Sequence, residues 1–237
     1  MHARALAILL LLTAACNGAE TARAKTAADN AATASAPAAS GANATPTAGG
    51  SATDPLVARA DSGRIRGSSA AKVWMIIASD FQCPYCKMWH DSADMAIRRE
   101  YVDNGKVRLA FVNFPISSHQ NALPAAEYAM CAAAQGKFWE MHDAIFESQQ
   151  RWTPLADATP IFDELASRVG LDAKSLRACV TSDKMVPLIH ADHEKATRSG
   201  VRATPSFFIG NQVLEGVQMP AELRRVLDAA LANAGAR

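Results

Sequence analysis

The sequence predicts an α/β fold in which a strand–helix–strand half and a strand–strand–helix half are separated by an inserted block of helices. Three observations predict it. Two short apolar runs rich in β-favouring residues, "KVWMIIAS" (Lys72 to Ser79) and "VRLAFVNFPI" (Val107 to Ile116), flank a stretch with helical spacing. Alanine-rich amphipathic stretches fill Asn121 to Gly200. Two late strands around Gly210-Asn211 then lead into a closing helix.

The chain has 237 residues, with 24 Lys and Arg against 23 Asp and Glu, a balance that gives no reason to expect a nucleic-acid partner. Its first sixteen residues, "MHARALAILLLLTAAC", put Arg4 ahead of an apolar run from Ala5 to Leu12 and then small residues, which reads as an export signal. The run is too short to span a bilayer. The small residues ending at Cys16 resemble a bacterial lipoprotein signal, which implies that Cys16 becomes the first mature residue and carries lipid. Thr13 departs from that pattern, which favours leucine there. The alternative is cleavage near Ala15 with a soluble product. Either way the mature protein leaves the cytoplasm, for the periplasm or cell envelope.

Residues 17–55 are Ala, Thr, Ser, Gly, Asn and Pro with a few charges and offer nothing larger than alanine among aliphatics to bury. They read as a disordered tether reaching on the order of 35 Å. Residues 56–237 remain for one compact domain, large enough to bury a core.

The run Lys72 to Ser79 is too continuous for a one-sided strand and is expected to be buried on both faces. Past Pro84, apolar residues recur at helical spacing (Tyr85, Met88, Trp89, Met95, Ala96, Tyr101, Val102), and Asn104-Gly105 supplies a stop. A second buried strand follows from Val107, so strand, helix and strand imply a crossover and a parallel pair. The inserted block, about 119–200, is broken at Gly136, Thr153-Pro154 and Gly170 into four or five helices.

The chemistry centres on "FQCPYCKMWH". A Cys-x-x-Cys at the exit of a buried strand, with a helix starting inside it, puts Cys83 at the N-cap, where free backbone N–H groups and the helix dipole stabilise a thiolate. Cys83 is therefore the expected nucleophile. Pro84 suits the first helical position, and Cys86, one turn in, can resolve a mixed disulfide.

With "SDFQCPYC" after an apolar strand, an inserted helical block and "GVRATPSFFIG" near the end, the sequence resembles the DsbA-like branch of the thioredoxin superfamily from about Ser62 onward. The resemblance implies a thioredoxin fold with an inserted helical domain between its βαβ and ββα halves. It also implies a cis Pro205 lying against the cysteine pair, with Thr204 offering backbone bonds to an extended substrate peptide. From the residues alone, Thr204-Pro205 could equally be trans.

Five cysteines are an odd number for an exported chain. Assigning Cys16 to lipid and Cys83 and Cys86 to redox work leaves Cys131 and Cys179, both in the helical block, for a structural disulfide that suits an oxidising compartment. Two buried free cysteines are the alternative. A metal site of Cys83, Cys86 and His90 has plausible spacing but no evident fourth ligand, so no metal and no cofactor is expected. His90 is expected on the helix surface or against a packing face. His119, His142, His190 and His193 are assigned no chemistry, and Phe138, Trp139, Met141, Ile145 and Phe146 are core or groove wall.

The direction of redox work is the open question. Tyr85 brings no positive charge between the cysteines, where the resemblance implies histidine in the strongest oxidants, and the Thr before Pro205 resembles some reductases and isomerases. The expectation is an extracytoplasmic thiol:disulfide oxidoreductase that forms disulfides in cysteine-containing exported proteins and is recycled by a membrane redox partner. The alternatives are a reductase or isomerase of the same fold and a metal-binding thioredoxin-like carrier.

Overall fold

The computed structural model describes residues 54–235. Cys16, the signal and nearly all of the tether lie outside the described residues. Asp54 and Pro55, at the tether's end, already belong to a helix. The Asp54 carboxylate accepts from Leu56 N at 2.8 Å, and Pro55 fills the first helical position, so α1 spans Pro55–Gly63. A Cβ on Gly63 would lie 2.6 Å from Ala133 O, so the close approach of α1 to the helical block requires glycine there.

The strands are β1 (Ile65–Arg66), β2 (Val73–Ser79), β3 (Val107–Asn113), β4 (Ser206–Ile209) and β5 (Gln212–Glu215). They form one sheet in the order β1-β3-β2-β4-β5. The β2–β3 pair is parallel, with Met75 opposite Leu109 and Ile77 opposite Phe111, and the other pairs are antiparallel. Gly210 turns the β4–β5 hairpin with φ 58°, a conformation that favours glycine.

A helical run crosses from β2 to β3: α2 (Pro84–Trp89), a π-helical turn (His90–Asp94), α3 (Met95–Ile97) and a second π turn (Arg98–Val102). The inserted block holds six helices, not four or five: α4 (Ala122–Ala133), α5 (Phe138–Glu147), α6 (Gln149–Trp152), α7 (Thr159–Arg168), α8 (Ala173–Val180) and α9 (Val186–Arg198). The extra element is the single turn α6, too short to carry a periodicity of its own. The chain closes with α10 (Pro220–Gly235). No helix among the described residues is long and apolar enough to cross a membrane.

One core packs Met75, Ile77 and Leu109 with Trp89 and Ile97 of the crossover run, Phe207 of β4, and Leu223 and Val226 of α10. On the opposite face Ala78 meets Phe114, Ala196 and Val201. β2 is thus covered on both sides as expected, except that Trp74 is 37% exposed and lies under Arg108, 4.6 Å from ring centroid to guanidinium. β3 differs from expectation by alternating buried and half-buried residues. The third core fills the helical block and also includes Phe81, Cys83, Cys86 and Phe111, so the cysteine turn is packed by the insertion.

A buried ionic knot fixes the block to the sheet. Asp192 of α9 accepts from Asn113 N at 3.1 Å, from Asn113 Nδ2 at 2.9 Å and from Arg64, whose guanidinium also donates to Phe111 O at 3.2 Å. Each of these partners satisfies a group that burial would otherwise penalise.

Candidate active site

Cys83 occupies the N-cap of α2 in extended conformation (φ −67°, ψ 124°), and Pro84 takes the first helical position. Cys83 N donates to Asp80 O at 3.2 Å and Lys87 N donates to Cys83 O at 3.1 Å, which closes the turn. Both cysteines are free thiols, Cys83 only 4% exposed and Cys86 1%. The Thr204-Pro205 bond is cis. Thr204 O stands 3.6 Å from Cys83 Sγ and accepts from its thiol, so chain positions 121 residues apart meet at one sulfur.

The two sulfurs are electrostatically unlike. The hydrogen bond from Cys86 lowers the Cys83 thiol to about 6; burial opposes this, while the Thr204 side chain and the backbone N–H groups of Cys86 and Tyr85 reinforce it. Burial pushes Cys86 well above the ordinary thiol range, and the Cys83 sulfur adds to the effect. One thiol of the pair is thus an anion near neutrality and the other keeps its proton.

Residues with no role in the sequence reading hold this turn. Asp80 is 1% exposed; its Oδ1 accepts from Gln82 N at 2.6 Å, and its Oδ2 from Ile116 N at 2.8 Å and His119 Nδ1 at 2.7 Å. Asp80 N also donates to Cys86 Sγ at 3.5 Å. Gln149 of α6 donates from one Nε2 to Phe81 O at 2.8 Å and Cys83 O at 3.0 Å, a direct bond from the inserted block to the backbone of Cys83 itself. The "DFQ" before the cysteines was the available signal, because a carboxylate and an amide beside a buried turn are the groups such a turn needs.

The helical spacing misassigned one face. Tyr85, Met88 and Met95 are 59%, 52% and 68% exposed, while Cys86, Trp89, Ala93 and Ile97 point inward. α2 itself turns Tyr85 and Met88 outward, so the apolar side chains left outside begin beside Cys83. His90 does not join the cysteines; its Nε2 lies 3.4 Å from Asp143 and its ring stacks on Phe146, with centroids 5.1 Å apart. Burial pulls His90 down, but bonds to Asp143 and Asp91 outweigh it and the net shift is upward. His142, fully buried in the same cluster, is pushed down to about 4 by burial. His193 stacks on Phe114 at 4.3 Å. Phe138, Met141, Ile145 and Phe146 are core, as expected, and Trp139 is half-buried.

Cys131 of α4 and Cys179 of α8 form the disulfide, with Cα atoms 5.9 Å apart, which resolves the sequence alternative of two free thiols.

The family model described as "Thioredoxin" matches residues 59–229. The chain belongs to the thioredoxin family. It is 33% identical over 178 residues to Na(+)/H(+) antiporter NhaA 3 of Salinispora tropica, covering 75% of this chain and 26% of that protein. It is 27% identical over 152 residues to probable disulfide bond formation protein D of Bacillus anthracis, covering 62% of this chain and 69% of that one. The chain thus spans only about a quarter of the antiporter's length. The crystal structure of Wolbachia pipientis alpha-DsbA1 superposes with a TM-score of 0.65 at 24% identity, over 72% of this chain and 92% of that one. That likeness is one of fold.

Proposed function

We propose that the protein is an extracytoplasmic thiol:disulfide oxidoreductase that forms disulfides in cysteine-containing exported proteins. The observation that carries the reading is the split between the two sulfurs, with Cys83 lowered to about 6 and Cys86 raised. In the oxidised protein a substrate thiolate attacks Cys83 Sγ, the Cys83–Cys86 bond breaks, and Cys86 leaves and takes up a proton. A second substrate thiolate then attacks the substrate sulfur of the mixed disulfide. Cys83 leaves as a stabilised thiolate, and two electrons have passed from the substrate to the pair. A low leaving-group pKa speeds that second step, and a stable Cys83 thiolate favours the reduced protein, hence oxidation of the substrate.

Thr204 beside cis-Pro205 supplies the backbone edge for an extended peptide. Tyr85 and Met88, exposed on the first turns of the helix, give an apolar rim to which an unfolded chain binds. A membrane redox partner re-oxidises the pair. Cys16 is lipidated and residues 17–55 tether the domain at the membrane surface of the periplasm or envelope. A Cys16→Ser chain that still incorporates a fatty-acid label would refute the anchor.

The test of exchange is capture. Cys86→Ser should accumulate a mixed disulfide between Cys83 and a single-cysteine peptide supplied with oxidant, because neither Cys86 nor a second substrate thiol is there to release it. A variant that never forms that adduct contradicts the proposal. A second reading, reductase or isomerase, is favoured by the uncharged Tyr85 between the cysteines, and it predicts faster reduction of a disulfide peptide than oxidation of a dithiol one.

A further inference from the structure

We propose that the protein binds one transition-metal ion of the zinc class between the active-site helical run and α5, through His90, Asp94, His142 and Asp143. One ligand atom from each of these four lies within 4.8 Å of the other three. Two elements supply them: His90 and Asp94 stand at the two ends of the π turn, and His142 and Asp143 are adjacent on α5. π turns inside helices frequently occur at functional sites. This one turns an imidazole and a carboxylate of the same element toward the same neighbour.

A separate observation points to a missing cation. Asp94 is 0% exposed, and neither of its carboxylate oxygens has a hydrogen-bond partner among the described residues. Arg98 Nη2 comes within 2.9 Å of Asp94 Oδ2, off the hydrogen-bonding direction, and is shared with Asp143 at 2.8 Å. Asp94 Oδ1 has no hydrogen-bond partner among the described residues. Arg98 compensates one oxygen of this buried carboxylate, and a second positive ligand at Oδ1 would offset the charge that burial removes from bulk solvent.

The donor set defines the ion. Two imidazole nitrogens with two carboxylate oxygens suit zinc and its neighbours, whereas calcium and magnesium take all-oxygen shells. Two carboxylates also match a divalent charge. Reaching zinc bond lengths of about 2.0–2.2 Å asks the four side chains to draw inward by on the order of 1 Å. The ion competes with Arg98 for both carboxylates and with Asp143 for His142 Nδ1, which now sits 2.8 Å from Asp143 Oδ1. That competition places the affinity below that of closed cysteine sites. Cys83 and Cys86 take no part, and occupancy would cross-link the active-site run to the helical block.

The test is calorimetric titration of zinc chloride into the full chain with Cys83–Cys86 oxidised and remaining thiols alkylated, so that no sulfur can ligate. One zinc per chain is expected. His142→Ala and Asp94→Asn should each weaken binding at least ten-fold, and the exposed His190→Ala should leave it unchanged. Absence of saturable binding, or equal binding in Asp94→Asn, overturns the proposal. Should a ligand variant fail to fold by circular dichroism, zinc-edge anomalous scattering from soaked wild-type crystals decides. A peak between His90 and His142 supports the site, and a peak elsewhere or none refutes it.

Discussion

The chain holds two cysteine pairs, and their surroundings explain why the fold can use them so differently. Cys131 and Cys179 are 48 positions apart, sit inside helices α4 and α8, and are bonded across a packed interior. Cys83 and Cys86 are separated by two residues at a strand-to-helix turn, and there hydrogen bonding prevails at the Cys83 sulfur and burial at the Cys86 sulfur. Reactivity is thus a matter of where the backbone ends and N–H groups fall, not of exposure, since both pairs are buried. The same chain can hold one disulfide inert and keep the other in exchange.

The comparison breaks most sharply at the nucleophile. Cys83→Ser should abolish disulfide transfer to a reduced peptide, whereas the double Cys131→Ala, Cys179→Ala variant should keep its turnover when folded. That double variant should instead lose stability. Closing a loop of 48 positions contributes about 4 kcal/mol on the chain-entropy argument, so the denaturant midpoint should fall without a change in the redox potential. A lost activity at full stability would show that the two pairs are coupled.

Asp80 sharpens the comparison from the catalytic side. Asp80→Ala strands the N–H groups of Gln82 and Ile116 and the ring of His119, and should cost about 2 kcal/mol while disturbing the Cys83 turn. Both a lower midpoint and slower exchange are expected; a change in stability alone would make Asp80 merely structural.

The smallest effect is in pH. Because folding lowers the Cys83 thiol to about 6, the reduced protein gains stability above the ordinary thiol pKa and loses that gain as pH falls through about 6. The oxidised protein, with no thiol there, should show no such change. Alkylation of Cys83 by iodoacetamide should accordingly be half-maximal near pH 6, and a midpoint near 8.5 would remove the electrostatic basis of the account.

Much of this was written in local sequence. The apolar runs at Lys72 and Val107, the Gly210-Asn211 turn and the Pro84 start each report a backbone preference that the fold obeys, so the two halves and the N-cap placement of Cys83 could be read directly. The meeting of Cys83 with Thr204 came only through family resemblance, since no local signal links positions that far apart. What escaped was tertiary. Asp80 and Gln149 act on carbonyls and N–H groups whose positions exist only after folding. Tyr85 and Met88 of α2, and Met95 beyond the first π turn, face outward although their spacing is that of a buried helix face. His90 and His142, 52 positions apart, look unremarkable until α5 packs on the active-site run.

The central claim is that the Cys83–Cys86 pair is poised to oxidise. Equilibrating the protein in glutathione buffers and following the Cys83–Cys86 bond, with Cys131–Cys179 as internal reference, measures it. The account predicts a potential of about −120 to −150 mV, that of a disulfide donor. A value of about −230 mV or lower would contradict it and assign the pair to reduction.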